Sequence, residues 1–159
     1  MDIKFIKPFF DATVKVFETM VQTKVVPSQP KFKEDTKSTG DVSAVVSMLG
    51  QDICGTFVVS FSESVFIKII SKMFMEDIKE ITPENLDAAA ELANMIYGNA
   101  KKDLIEQKIS NLDKAIPTVV AGKGHFIKYQ NGNSKIFVVP FQSELGEFQI
   151  ELCKQEALK

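Results

Sequence analysis

The sequence has little to offer a metal ion. One histidine, His125, and two widely separated cysteines, Cys54 and Cys153, are all it holds in 159 residues, too few and too scattered for a typical zinc site. Charge of one sign is equally scarce. Nineteen basic residues against twenty-one acidic ones leave a net charge of −2, without the basic footprint a nucleic-acid binder shows. No apolar run approaches the roughly 20 residues that span a bilayer. The opening "MDIKFIKPFF" has an early acid and no long apolar core, so no signal peptide is expected. Both cysteines lie in apolar, strand-like stretches and read as buried thiols of a reducing compartment. "AGKGH" at 121–125 lacks the phosphate-loop spacing and no helix pattern follows it, so no nucleotide site is expected there. His125 reads as a strand residue rather than a catalytic base. The expectation is a cytoplasmic protein with no cofactor of its own, binding neither nucleic acid nor membrane.

What is present is ordinary for a globular chain: 45% apolar and 25% charged residues. A chain of this length buries roughly 70% of its unfolded surface, so residues 1–159 are expected to form one domain. Ile6, Phe9, Phe10, Val14, Phe17 and Val21 recur at three- and four-residue intervals and predict a helix over 3–23. Residues 26–40, polar and with two prolines, predict a loop or at best an edge segment. "DVSAVVSML" and "ICGTFVVSF" predict two strands. Ser62 or Ser64 can cap the helix that follows, whose apolar face is Val65, Phe66, Ile69, Ile70 and Met73. Thr82-Pro83-Glu84 opens a second long helix, running to about residue 109. Strands are then expected at "GHFIKYQ", "KIFVVPF" and "GEFQIELC", the first two joined by a type I′ hairpin at Asn131-Gly132. "FVVSF" at 57–61 recurs as "FVVPF" at 137–141, which with the shared element order suggests an internal duplication. The fold class is α+β: pseudo-duplicated helix–strand–strand units, an antiparallel sheet packed with two long helices.

The second long helix contains "DAAAELANMIYG". Around a helical wheel that starts at Glu91, Asn94 falls at roughly 300°, Asp87 at roughly 320° and Gly98 at roughly 340°. Leu86, Ala89, Ala93, Ile96, Ala100 and Leu104 gather on the opposite side, at about 140–220°. The polar residues therefore share one arc that faces away from the core. Gly98 is the unusual member, because a mid-helix glycine costs about 0.5–1 kcal/mol against alanine. A missing side chain is useful where another backbone must come close. Met95 and Ile105 lie on or beside the same face and add apolar contact. This face reads as a docking surface for another protein.

Asp87-x-x-x-Glu91-x-x-Asn94, followed by Pro117, is the pattern of the CheC/CheX chemotaxis phosphatases, and the chain resembles that family over nearly its whole length. All four positions together arise by chance on the order of 0.003 times per chain. The resemblance implies a protein that removes the phosphoryl group from a phosphorylated CheY-type response regulator. It implies that Glu91 pairs with the regulator's active-site lysine, that Asn94 orients the attacking water, and that the regulator supplies Mg²⁺. Asp87, Met95, Gly98 and Ile105 are then expected to touch the partner. The chemistry is compatible, since phosphoryl transfer depends mainly on positioning and charge stabilisation. CheC-type members have the motif on both long helices. The first helix here reads Asp11-Ala-Thr-Val-Lys15-Val-Phe-Glu18, with lysine and glutamate where glutamate and asparagine would stand. One intact motif is the CheX arrangement, which implies a homodimer joined through sheet edges. The alternative class is an adaptor that binds regulators without hydrolysing anything.

Overall fold

The computed structural model describes residues 2–33, 38–51, 53–129 and 135–156. Helix α1 spans Ile3–Val16, capped by the Asp2 carboxylate, and widens into a π turn at Phe17–Val21. Two short strands follow, β1 at Val25–Pro27 and β2 at Lys31–Phe32. The long strands β3 (Gly40–Leu49) and β4 (Ile53–Phe61) form a hairpin. Helix α2 (Glu63–Phe74) starts at Ser62, whose hydroxyl accepts from the Val65 amide. Helix α3 (Pro83–Glu106) starts in a capping box between Thr82 and Asn85. Strands β5 (Thr118–His125), β6 (Ile136–Ser143) and β7 (Phe148–Glu156) complete one sheet. Among the described residues no helix is long and apolar enough to cross a membrane.

The sheet is antiparallel throughout, in the order β1-β6-β7-β4-β3-β5, with β2 also on β6. Alternation along each strand sends one set of side chains to each face. Val42, Ala44, Val46 and Met48 of β3, Phe57, Val59 and Phe61 of β4, and Phe148, Ile150 and Leu152 of β7 join the helices in one buried cluster. Phenylalanine dominates its centre: Phe17 stacks on Phe148 at 4.4 Å between ring centroids, and Phe148 on Phe141 at 5.3 Å. Such pairs add about 0.5–1.5 kcal/mol each beyond the area they bury.

Among the described residues no helix packs on the opposite sheet face, which mixes apolar and polar side chains, Val58, Val138 and Glu151 lying side by side. There Glu151, wholly buried on β7, meets Lys33 at 3.0 Å and accepts the Tyr129 hydroxyl at 2.7 Å. Burial and the neighbouring carboxylate push the Tyr129 phenol well above its ordinary range, so it stays a donor. Lys33 follows β2 and Tyr129 follows β5, so one buried carboxylate ties both connecting segments to the sheet.

The duplication is present in the topology. Read inward from each edge, the order is β1-β6-β7 and then β5-β3-β4, so α1, β1, β3 and β4 correspond to α3, β5, β6 and β7. The first strand after each helix crosses to the other half's hairpin, which interlocks the two units. The pentapeptide match is not the marker of this symmetry. FVVSF lies on β4 and FVVPF on β6, which are not equivalent strands; both flank β7, with Phe57 and Phe137 each opposite Leu152. Identical neighbours select identical residues.

The strand expected at 124–130 is displaced. β5 lies at Thr118–His125 and pairs with β3, while β6 pairs with β7. A hairpin from 124–130 into β6 is therefore excluded by the pairing, and Asn131-Gly132 itself lies outside the described residues. Phe126 to Tyr129 instead run over that opposite sheet face, with the Ile127 amide on Thr39 Oγ1 at 2.9 Å. The end of β5 is fixed by Asp41, whose carboxylate accepts from the Gly124 and Glu63 amides at 2.8 Å each. Those two hydrogen bonds hold its carboxyl below the usual carboxylate range.

Candidate functional site

Helix α3 lies against α1, and Ala88, Ala89, Leu92, Ala93, Ile96, Tyr97, Ala100 and Leu104 supply its buried side. The run of alanines lets backbones approach closely, so the helix is seated rigidly. Its register is also locked from the far end. The Tyr97 hydroxyl donates to the Asp113 carbonyl at 2.6 Å, tying α3 to the segment that leads to β5. Burial pushes that phenol up to about 12, so it remains a neutral donor.

With this side fixed, the helical period dictates what faces outward. Asp87, Glu91, Asn94 and Gly98 are all exposed. None of the three polar side chains makes a hydrogen bond or ion pair with another described residue. They are unpaired groups held at set heights on a rigid rod. Glu91 and Asn94 are three residues apart, hence about 4.5 Å along the axis and neighbours on one face. Met95 is less available than its helical position suggests, since it is half-buried against the core cluster. Ile105 is 42% exposed and lies on the motif's side of the helix. Pro117 is half-buried and immediately precedes β5.

Gly98 has no reason within the chain. A Cβ built on it meets nothing within 4 Å, and no left-handed backbone angle calls for glycine there. The helix therefore forgoes about 0.5–1 kcal/mol at a position open to an incoming surface.

A shallow groove beside this face, about 240 Å³, separates α1 from the C-terminal half of α3 and is bordered by Asp11, Lys15, Asn99 and Lys102. The altered motif on α1 therefore borders a mixed-charge groove. His125 takes no part in the α3 face. Its Nδ1 bonds the Gly122 carbonyl at 2.9 Å and its Nε2 bonds Ser43 at 2.7 Å. A carbonyl only accepts, so Nδ1 bears the hydrogen and, in the neutral ring, Nε2 accepts from the hydroxyl. Among the described residues no group of three or more His, Cys, Asp or Glu side chains is placed to hold a metal ion. The α3 face can thus position a small molecule and present charge, and no serine, threonine or cysteine stands on the helix.

The model of the family described as Chemotaxis phosphatase CheX matches residues 42–142. No curated protein sequence matches the chain. Among solved structures, a CheC-like superfamily protein from Shewanella sp. PV-4 is 34% identical and superposes with a TM-score of 0.90, covering 98% of this chain and 99% of its own. The chemotaxis protein CheX from Vibrio vulnificus is 33% identical with a TM-score of 0.87, covering 95% and 99%. A CheX from Borrelia burgdorferi, in complex with CheY, BeF₃ and Mg²⁺, shares the fold at 23% identity, with a TM-score of 0.76 over 96% and 98% of the two chains. On the family match and the two closer structures, this chain belongs to the CheX family of chemotaxis phosphatases.

Proposed function

We propose that the chain hydrolyses the aspartyl phosphate of a CheY-type response regulator, with Asn94 orienting the attacking water and Glu91 pairing with the regulator's active-site lysine. The observation that carries this reading is the exposed pair itself: an amide and a carboxylate one turn apart, unpaired, on a rigid face with a glycine opening beside them. The amide carbonyl of Asn94 accepts a hydrogen bond from the water and its NH₂ group donates to a phosphoryl oxygen. The water oxygen bonds to phosphorus as the bond to the aspartyl oxygen breaks, giving phosphate and a free carboxylate. A carboxylate is a good leaving group, so no general acid is required from this chain. Asp87, Gly98 and Ile105, with Met95 beside them, form the docking surface.

The Borrelia complex supports this reading, because there the same fold engages a regulator accompanied by Mg²⁺. A cytoplasmic location follows from that partner. Phosphate release from a panel of phosphorylated receiver domains in Mg²⁺ tests the proposal. Acceleration with at least one of them is the expected result. Binding to the phosphorylated form without acceleration would instead establish the adaptor.

We also propose a homodimer. β5 is the eight-residue terminal strand at one end of the sheet, exposed along most of its length, with Val120 37% exposed. An uncovered edge of this kind invites pairing with another chain. Sedimentation at micromolar concentration should show a dimer, and Val120→Lys should shift it towards monomer. A monomer alone in the parent would remove the claim.

A further inference from the structure

We infer that the regulator-docking face extends two turns beyond Asn94 and that Lys101 forms its second charged anchor, against a carboxylate on the regulator. Two helical turns set the spacing, so that carboxylate lies about 10 Å from the phosphorylated aspartate. This rests on the phosphatase reading and adds a residue and a partner chemistry to it.

Seven residues make nearly two turns, so Asp87, Asn94 and Lys101 lie almost on one line along α3, each about 10 Å and about 20° from the next. Helical side chains lean toward the N-terminus. Lys101 therefore leans over the turn that contains Gly98, where no side chain blocks it. Ile105, 42% exposed, lies one turn further on and continues the strip. Charge is segregated on this strip alone, because Lys102, Asp103 and Glu106 of the C-terminal half border the groove instead. On the strip the exposed acids Asp87 and Glu91 stand in the N-terminal half, and half-exposed Lys101 is its charge in the C-terminal half. The helix dipole does not account for the lysines, because they precede the last turn, which holds no basic residue.

Lys102 borders the groove with Asp11, Asp103 and Glu106, so carboxylates surround it. Lys101 faces the other way, and its ammonium pairs with no described residue. With an acidic end that suits a lysine and a single lysine that suits a carboxylate, the strip favours one orientation of the partner. That is the use of charge at an interface: register and encounter rate more than raw affinity.

The test uses full-length protein and a regulator that the parent dephosphorylates. Lys101→Glu should raise KM for the phosphorylated regulator about fivefold at low salt, the scale of an exposed pair reversed in sign, with kcat unchanged. The effect should shrink in high salt as screening takes over. Lys101→Met keeps the stem and should give a smaller rise of the same kind. Lys68→Glu on α2 controls for the change in net charge and should leave KM at the parent value. Affinity for the regulator held active by beryllofluoride and Mg²⁺ should fall in parallel with the rise in KM. An unchanged KM and affinity in Lys101→Glu, with the parent still active, would overturn this inference and leave the phosphatase reading standing. A fall in kcat alone would also overturn it. Absence of activity in the parent would instead strike at the underlying reading.

Discussion

Asn94→Ala is expected to slow aspartyl-phosphate loss by on the order of 100-fold or more while the regulator still binds. A reactant misplaced by about 1 Å already costs that much, and removing the amide leaves the water unplaced altogether. In the proposed mechanism the interaction with water acts mainly in the transition state, so its loss should lower kcat and kcat/KM together. Affinity for the beryllofluoride-activated regulator should stay within about threefold, as expected when one exposed side chain outside the charge pair is shortened. Asn94 makes no hydrogen bond within the described chain, so the melting temperature should not move. Asn94→Asp preserves the shape but sets a carboxylate against the phosphoryl group, and it should be as inactive as alanine. Full activity in Asn94→Ala would sink the hydrolytic mechanism and leave a regulator-binding adaptor.

Glu91→Ala should harm binding and turnover together. Its carboxylate is exposed in the free protein, and in the proposed pair it would be desolvated on meeting the regulator's lysine. Removing one member of such a buried charge pair costs at least about 2 kcal/mol, or roughly 30-fold in kcat/KM. Glu91→Gln keeps the length and a hydrogen-bond acceptor but no charge, so it should fall between parent and alanine. Raising ionic strength should narrow the gap between them, because screening weakens the encounter of the opposite charges. Measured together, the two substitutions should separate the proposed roles, with Asn94 changing kcat and Glu91 changing kcat and KM. Equal affinity for the activated regulator in Glu91→Ala and parent would exclude the proposed pair. Chelation of Mg²⁺ should stop the parent reaction, because the proposed mechanism takes its metal ion from the regulator.

The sequence alone determined what a helix and a buried hairpin can write into local order. The helical period placed Glu91, Asn94 and Gly98 on one face of α3 before any contact was known, because the alanine-rich stripe opposite them allows only one way in. Thr82 and Pro83 announced where that helix begins, and the alternating apolar runs marked β3, β4, β6 and β7. Tertiary structure alone decided the rest, where the relevant partner is distant in the chain. β5 has little apolar alternation because it is an exposed terminal strand, so the β-branched and aromatic residues just after it drew the sequence reading to 124–130. Pairing of β5 with β3 and of β1 with β6 exchanges strands between the two halves, and no local pattern specifies such a crossing. The buried Glu151 looked like a surface carboxylate in its strand, since Lys33 and Tyr129 neutralise and satisfy it from more than a hundred and from twenty-two residues away. Periodicity reports which side of an element is dry; only the packed chain shows what meets it there.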